Sequence, residues 1–235
     1  MSFANKLEVR ELNAFYGQVH VLHGIDFTIN EGELVTLIGR NGAGRTTALR
    51  SIMGIIPRAS GSIRFCGNEL IGMASHKIPR LGLGYVPEER AIFSSLNVKE
   101  NLILPPRIAS GGMSLVEIYE LFPNLKGRDQ TQGTMLSGGE QQMLAIARVL
   151  QTGAKFLILD EPTEGLAPVI IEQIKIALNK LKSRGYTILL VEQNLQFAAN
   201  VADRHYVLQE GHLVDVIEKI RSEKDQERLK KYIGL

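Results

Sequence analysis

Apolar and polar residues alternate over 7–16 (Leu-Glu-Val-Arg-Glu-Leu-Asn-Ala-Phe-Tyr), the period of a strand with one face in water. A second alternating stretch at 21–29 runs into the turn Glu31-Gly32-Glu33. Residues 34–38, Leu-Val-Thr-Leu-Ile, make a short β-rich run that enters Gly39-Arg-Asn-Gly-Ala-Gly44, and 46–53 then follows a helical period. An edge strand is expected over 61–67, returning to the early sheet. From about 98 to 150 the spacing turns helical, in Glu100, Leu102 and Ile103, then 115–121, then 141–150. Phe156-Leu-Ile-Leu159 is continuously apolar, as parallel strands buried on both faces tend to be. A helix over 169–181 stopped by Gly185, a buried strand over 186–191 and a hairpin of 204–208 with 212–216 about Glu210-Gly211 follow. The tail, 218–235, is charge-rich and helical, a solvated surface helix.

This order predicts an α/β fold: an N-terminal antiparallel β lobe, a parallel core, and an α-helical lobe inserted into that core. The expected division of the single unit 1–235 is about 1–90 for the β lobe and first half of the core, about 91–150 for the helical lobe, and about 151–235 for the rest of the core. With 235 residues the chain is long enough for a sizeable interior.

Composition adds mainly exclusions. Hydrophobic residues make up 44% and charged residues 22%, a globular balance. A net charge of +2 and a pI near 8.6 are too mild for a nucleic-acid binder, so a bound anion would be gripped by a local site. Cys66 is the only cysteine; it cannot form an intrachain disulfide and is expected to be a small buried apolar residue. The opening Met1-Ser-Phe-Ala-Asn-Lys6 lacks the pattern of a signal peptide, and no run of about 18 apolar residues occurs. If the chain works at a membrane, it is expected to dock onto other chains that cross it.

Chemistry concentrates at three places. Gly39-Arg40-Asn41-Gly42-Ala43-Gly44-Arg45-Thr46-Thr47 leaves a strand and opens a helix, the context of a G-x-x-x-x-G-K-[ST] phosphate loop and hence of a P-loop NTPase with a RecA-like core. Its glycines let successive N–H groups face one anion, aided by the positive end of the helix. Thr46 offers a hydroxyl to Mg²⁺. Arg45 departs from the motif: the charge is kept, but a compact point charge becomes a longer planar fork. The second place is Asp160-Glu161 at the end of the apolar strand, where ligands bind in open α/β sheets. Asp160 suits the Mg²⁺ shell, and Glu161, one residue on, suits a base for the attacking water. The third is Leu136-Ser137-Gly138-Gly139-Glu140-Gln141-Gln142. A capping box between Ser137 and Glu140 explains part of it, while two adjacent glycines make a backbone able to meet phosphates.

Leu-Ser-Gly-Gly-Glu-Gln-Gln between a phosphate loop and Leu-Asp-Glu-Pro resembles the signature of ABC transporter ATPases, in the right order over the whole chain. The resemblance implies binding of ATP and Mg²⁺, with Tyr16 as the aromatic that stacks on adenine. Glu88 falls where the family usually has the glutamine that contacts Mg²⁺ and water, and Gln193 where most members place the switch histidine. Ala167 replaces the usual aspartate of the following loop. It further implies a head-to-tail pair in which Ser137, Gly138, Gly139 and Glu140 face the partner's nucleotide. Tyr85-Val-Pro-Glu88, Gly165-Leu-Ala-Pro168 and Val191-Glu-Gln-Asn194 look like the second ATP-binding subunit of branched-chain amino acid importers. Urea and short-amide importers carry a Glu-Pro-Thr-Glu-Gly similar to 161–165.

For such a subunit the resemblance implies a second ATPase subunit, in a hetero- or homodimer, two membrane permease chains, indirectly a substrate-binding protein, and no nucleic acid. It places the chain at the cytoplasmic face of the inner membrane, peripherally. Two other classes compete. A soluble ABC ATPase acting on nucleic acid or ribosomes usually fuses two cassettes, and this chain has one phosphate loop. A subunit that binds ATP without hydrolysing it is kept open by Arg45, Glu88 and Gln193, and opposed by Glu161.

Overall fold

The computed structural model describes residues 5–220 and 222–233. Residues 1–4, 221 and 234–235, which fall in the opening searched for a leader and in the expected terminal helix, lie outside the described residues.

Two sheets form. The first is antiparallel, ordered β2-β1-β4-β5, from β1 (Asn5–Tyr16), β2 (Val19–Asn30), β4 (Arg58–Phe65) and the short β5 (Asn68–Glu69). The second is built from β3 (Leu34–Ile38), β6 (Leu83–Val86), β7 (Phe156–Asp160), β8 (Thr187–Glu192), β9 (Arg204–Gln209) and β10 (His212–Glu218) in the order β10-β9-β3-β8-β7-β6. From β9 to β6 the neighbours are parallel, and β10 closes one edge as the antiparallel arm of a hairpin. Every residue of β3, β7 and β8 is buried, the outcome that their unbroken apolar runs predict.

Alternate residues of these strands serve two interiors. On one face Val35, Leu37, Ile158, Leu189 and Val191 pack with the inner side of the first sheet and with Leu49 and Ile52 of α1 (Arg45–Ile52). On the other face Leu34, Leu157, Leu159, Ile188 and Leu190 meet α4 (Gly138–Gln151) and α5 (Pro168–Ser183) through Leu144, Ala147 and Leu178. Two further helices, α2 (Val98–Ile103) and α3 (Leu115–Leu121), precede α4 between β6 and β7. Asn97, Ser114 and Ser137 cap α2, α3 and α4, each in a capping box with the glutamate three residues on. The chain finishes with α6 (Leu195–Val201), β9, β10 and α7 (Glu223–Ile233).

The helical and strand periods thus recovered most elements, with instructive differences. The four-residue β6 and the seven-residue α6 show no clear period of their own, and the sequence pattern does not announce them. Residue 218 belongs to β10, and the tail turns helical only at 223. Cys66 is exposed, not a buried apolar residue. It and Gly67 lie at φ +47° and +81° as the two-residue turn joining β4 to β5, and such a turn puts its side chains in solvent. No helix among the described residues is long and apolar enough to cross a membrane.

One buried contact fixes β9 against β3. The Thr36 hydroxyl lies 2.7 Å from Nδ1 of His205, which is wholly buried, and Nε2 of that ring has no partner among the described residues. Burial therefore disfavours the imidazolium and pulls the His205 pKa down to about 4. The unfolded chain, with an ordinary value near 6.5, binds the proton first as pH falls, so stability decreases between about 6.5 and 4. Urea unfolding should give a stability about 2 kcal/mol lower at pH 5 than at pH 7 from this residue alone. His205→Gln should remove that part of the difference; an unchanged pH dependence in the variant would contradict the assignment.

Candidate functional site

The site forms where β3 gives way to α1. Residue 39 must be glycine: a Cβ there would stand 2.3 Å from the Leu208 carbonyl of β9 and 2.9 Å from Ala43 Cβ. Gly44, at φ +102°, has the left-handed conformation glycine adopts freely, and its Cβ would meet Leu22 of β2 at 2.7 Å. Between them Arg40, Asn41 and Gly42 are exposed while Ala43 is buried. The Ala43 N–H donates to the Arg40 carbonyl (3.0 Å), and its own carbonyl accepts from Gly211 N–H (3.0 Å), which ties the loop to the β9–β10 hairpin. No acidic residue occupies the first turn of α1 and no side chain among the described residues caps it. Its positive end therefore faces the loop.

Opposite the loop, β7 delivers its carboxylates. The Thr46 hydroxyl donates to Asp160 Oδ1 (3.3 Å) and the Tyr85 hydroxyl to Oδ2 (3.3 Å). Burial pushes the Asp160 pKa up to about 6; the Glu161 and Glu88 charges push the same way, and the Tyr85 and Thr46 hydrogen bonds oppose them. Glu161 sits at φ +46°, unusual for a side-chain-bearing residue, with its N–H on the Val191 carbonyl at 2.9 Å. This turn aims its carboxylate at the phosphate loop, where Oε1 meets Arg45 Nη2 at 2.8 Å. The same Nη2 donates to Asn41 Oδ1 (3.1 Å), whereas Nη1 is buried with no partner among the described residues.

These groups fit a polyphosphate with a hard divalent cation. Residues 39 and 44 of the loop have no room for side chains, and Arg45 Nη1 is a donor beside it with no partner among the described residues. The facing Thr46 hydroxyl and Asp160 carboxylate are the oxygen donors that Mg²⁺ prefers. A cation there would offset the cost of keeping Asp160 charged in a buried position.

The remaining residues singled out in the sequence are more dispersed. Tyr16 ends β1 and is 42% exposed, and its hydroxyl is the first cause holding the Arg50 guanidinium above its ordinary value. Glu88 is exposed in the loop after β6, its carboxyl pushed up by partial burial and then by Glu164 and Glu89. Gln193 is exposed too, and with Glu161, Thr163, Glu164, Glu192 and Asn194 it lines a pocket of about 260 Å³. The structure thus brings Gln193 to the side of Glu161. Ala167 is exposed at the start of α5.

Ser137, Gly138, Gly139 and Glu140 lie apart from this constellation. Glu140 Oε2 accepts from the Ser137 N–H and hydroxyl, both at 2.8 Å, and Glu140 Oε1 pairs with Arg128 at 3.2 Å. A Cβ on residue 139 would stand 2.8 Å from Ile170 of α5 and one on residue 138 would stand 3.2 Å from the Arg90 guanidinium. Part of the paired glycines' purpose is therefore close packing, a reason invisible in the motif. Two side chains escaped the sequence reading. Tyr85 carries no signal beyond its place in Tyr-Val-Pro-Glu, yet its hydroxyl holds Asp160. Glu192 is buried and accepts from the Thr163 hydroxyl (2.6 Å) and the Asn194 N–H (2.9 Å), shaping the loop that carries Gln193.

Comparison with known proteins agrees with this fold. A family model described as ABC transporter matches residues 22–164. The chain is 44% identical over 217 residues to the high-affinity branched-chain amino acid transport ATP-binding protein BraG of Pseudomonas aeruginosa, covering 88% of this chain and 91% of that one. It is 36% identical to the probable branched-chain amino acid transport ATP-binding protein LivF of Archaeoglobus fulgidus, covering 88% and 89%. It is also 34% identical to the lipopolysaccharide export system ATP-binding protein LptB of Escherichia coli, covering 88% of each. Among solved structures, a nucleotide-free ATP-binding cassette from an ABC transporter superposes with a TM-score of 0.82 at 22% identity, over 97% of this chain and 96% of that one.

Since a backbone carbonyl of a central strand cannot retreat from a new methyl group, Gly39→Ala should lower the unfolding free energy by about 2–3 kcal/mol. Denaturant titration checks this; a variant as stable as the parent would show that the loop has room to move.

Proposed function

The chain belongs to the ABC transporter family as one of its ATP-binding, ATP-hydrolysing cassettes, and we propose that it powers import of branched-chain amino acids through partner permease chains. The observation that carries the catalytic part is the meeting of Arg45, Thr46, Asp160 and Glu161 across the ends of β3 and β7. The solute is supported by the relatives named for branched-chain amino acid transport.

In the proposed mechanism N–H groups of the phosphate loop, other than that of Ala43, and the Arg45 guanidinium hold the phosphates of ATP, and Tyr16 stacks on its base. Thr46 and Asp160 would hold Mg²⁺, with Glu88 beside them, and the ion would supply positive charge to offset that of the phosphates. Glu161 orients a water in line with the γ-phosphorus and takes its proton as the new P–O bond forms. The bond from that phosphorus to the bridging oxygen breaks, leaving ADP and phosphate. Gln193, across the same pocket, orients the water or the γ-phosphate by hydrogen bonding; as an amide it cannot exchange a proton near neutral pH.

The exposed Ser137 with Gly138 and Gly139 serves the nucleotide of a second cassette docked head to tail, whether a copy of this chain or a different ATPase subunit. ATP held by both faces closes the pair and hydrolysis releases it, a ligand-driven shift of a two-state interface. Two permease chains would convert that motion into transport, fed by a substrate-binding protein, with this subunit on the cytoplasmic face of the membrane and no nucleic acid involved. The relative named for lipopolysaccharide export supports a second reading of the cargo. Identifying the permease chains that co-purify with the subunit separates the two.

Glu161→Gln should retain ATP but lose at least about 100-fold in turnover, measured as phosphate release with the permease complex present. Normal turnover in that variant would assign the base elsewhere. Arg45→Lys should hydrolyse faster than the parent, and an unchanged or slower rate would refute the view that the arginine slows the chemistry.

A further inference from the structure

Arg45 and Glu161 form a buried ion pair, 2.8 Å apart, with their side chains 5% and 11% exposed. The pair joins the residue that grips phosphate to the residue that serves the water, so this inference rests on the function proposed above. Three features of the contact bear on it. The backbone of Glu161 is held in a left-handed turn by its N–H bond to the Val191 carbonyl, so the ion pair with Arg45 is what directs its carboxylate. The guanidinium uses one arm, Nη2, for both Glu161 and Asn41. Its other arm, Nη1, is buried and unpartnered among the described residues.

A planar fork can hold two partners on two arms, which a compact ammonium does with less geometric definition. A nucleoside diphosphate can take Nη1 and leave the ion pair intact. A triphosphate brings a second anionic centre beside Glu161, and the carboxylate and the terminal phosphate then compete for Nη2. Removing a charge from a buried pair is costly unless another charge of the same sign replaces it, and a terminal phosphate is such a replacement. We propose that Arg45 is a positioning residue that restrains Glu161 until a γ-phosphate arrives, so that the Arg45–Glu161 pair discriminates triphosphate from diphosphate and frees Glu161 Oε1 only in the triphosphate state.

The test measures affinity without turnover. The β,γ-imido analogue of ATP and, separately, ADP are titrated with Mg²⁺ into the full chain and into its Glu161→Gln and Glu161→Asp variants by calorimetry. Glu161→Gln removes the charge; Glu161→Asp keeps it but draws it back by one methylene, out of reach of Nη2. Competition within the pair predicts that both variants bind the analogue at least fivefold more tightly than the parent, with ADP affinity changed less than twofold. The proposal is overturned if Glu161→Asp binds the analogue like the parent, because charge repulsion alone then explains the glutamine variant. It is equally overturned if ADP binding tightens in parallel. A parent chain that binds neither nucleotide would instead overturn the functional reading of the site, and this inference with it.

Discussion

The backbone of β9 runs so close to the loop after β3 that residue 39 has no space for a side chain. Much of the site depends on that approach. It forces the chain to turn sharply off the sheet, and Gly44 completes the turn before α1 begins. The Ala43 carbonyl, held by Gly211, locks the loop to the hairpin beyond β9. The neighbouring Thr36–His205 contact keeps β9 and β3 in register just beneath. Contacts of this kind with β9 and the hairpin limit the conformations open to the loop, and a loop restrained in advance costs less to order when an anion binds.

The sheet order brings the carboxylates to that loop. β3 and β7 are separated by β8, and all three are parallel, so their C-terminal ends emerge on one side. Thr46 and Asp160, 114 residues apart in sequence, become hydrogen-bonded neighbours. The buried apolar faces of β7 fix Asp160 and Glu161 so firmly that a side-chain-bearing residue accepts a left-handed φ.

What was legible in the sequence follows from range. Long periodic stretches such as β1, β2 and α5 announced themselves, and the continuous apolar runs of β3, β7 and β8 gave the buried parallel sheet. The capping box at Ser137 was readable because its two partners lie three residues apart. Short elements held by tertiary contacts were not: β6 takes its place by pairing with β7, and α6 by its Asn194 cap and the packing of Phe197 and Ala198. Asn101 gave no signal at all, yet it is wholly buried and bonds the Phe93, Leu96 and Asn97 carbonyls. Likewise the Arg45–Glu161 pair spans more than a hundred residues, and no local pattern encodes such a contact.

The electrostatics of the site are lopsided, and that constrains how it is filled. Asp160, Glu161, Glu88, Glu164 and Glu192 gather at the ends of β6, β7 and β8, and for Asp160 and Glu192 burial first, then the neighbouring carboxylates, disfavour the charged form. Arg45 compensates one of them, Glu161, while the Asp160 carboxylate has only hydroxyl donors among the described residues. A naked polyphosphate entering beside these carboxylates meets repulsion from one side and the loop's N–H groups from the other. A polyphosphate that arrives with a divalent cation brings positive charge to the Thr46–Asp160 oxygens, where buried negative charge is least compensated. The arrangement therefore couples the two: each makes the other's binding more favourable, and the reciprocity follows from linkage. An arginine at position 45, where the phosphate-loop motif has lysine, engages Glu161, and in the proposal above this contact adds a second coupling to the first, between the anion that is bound and the carboxylate that acts on it.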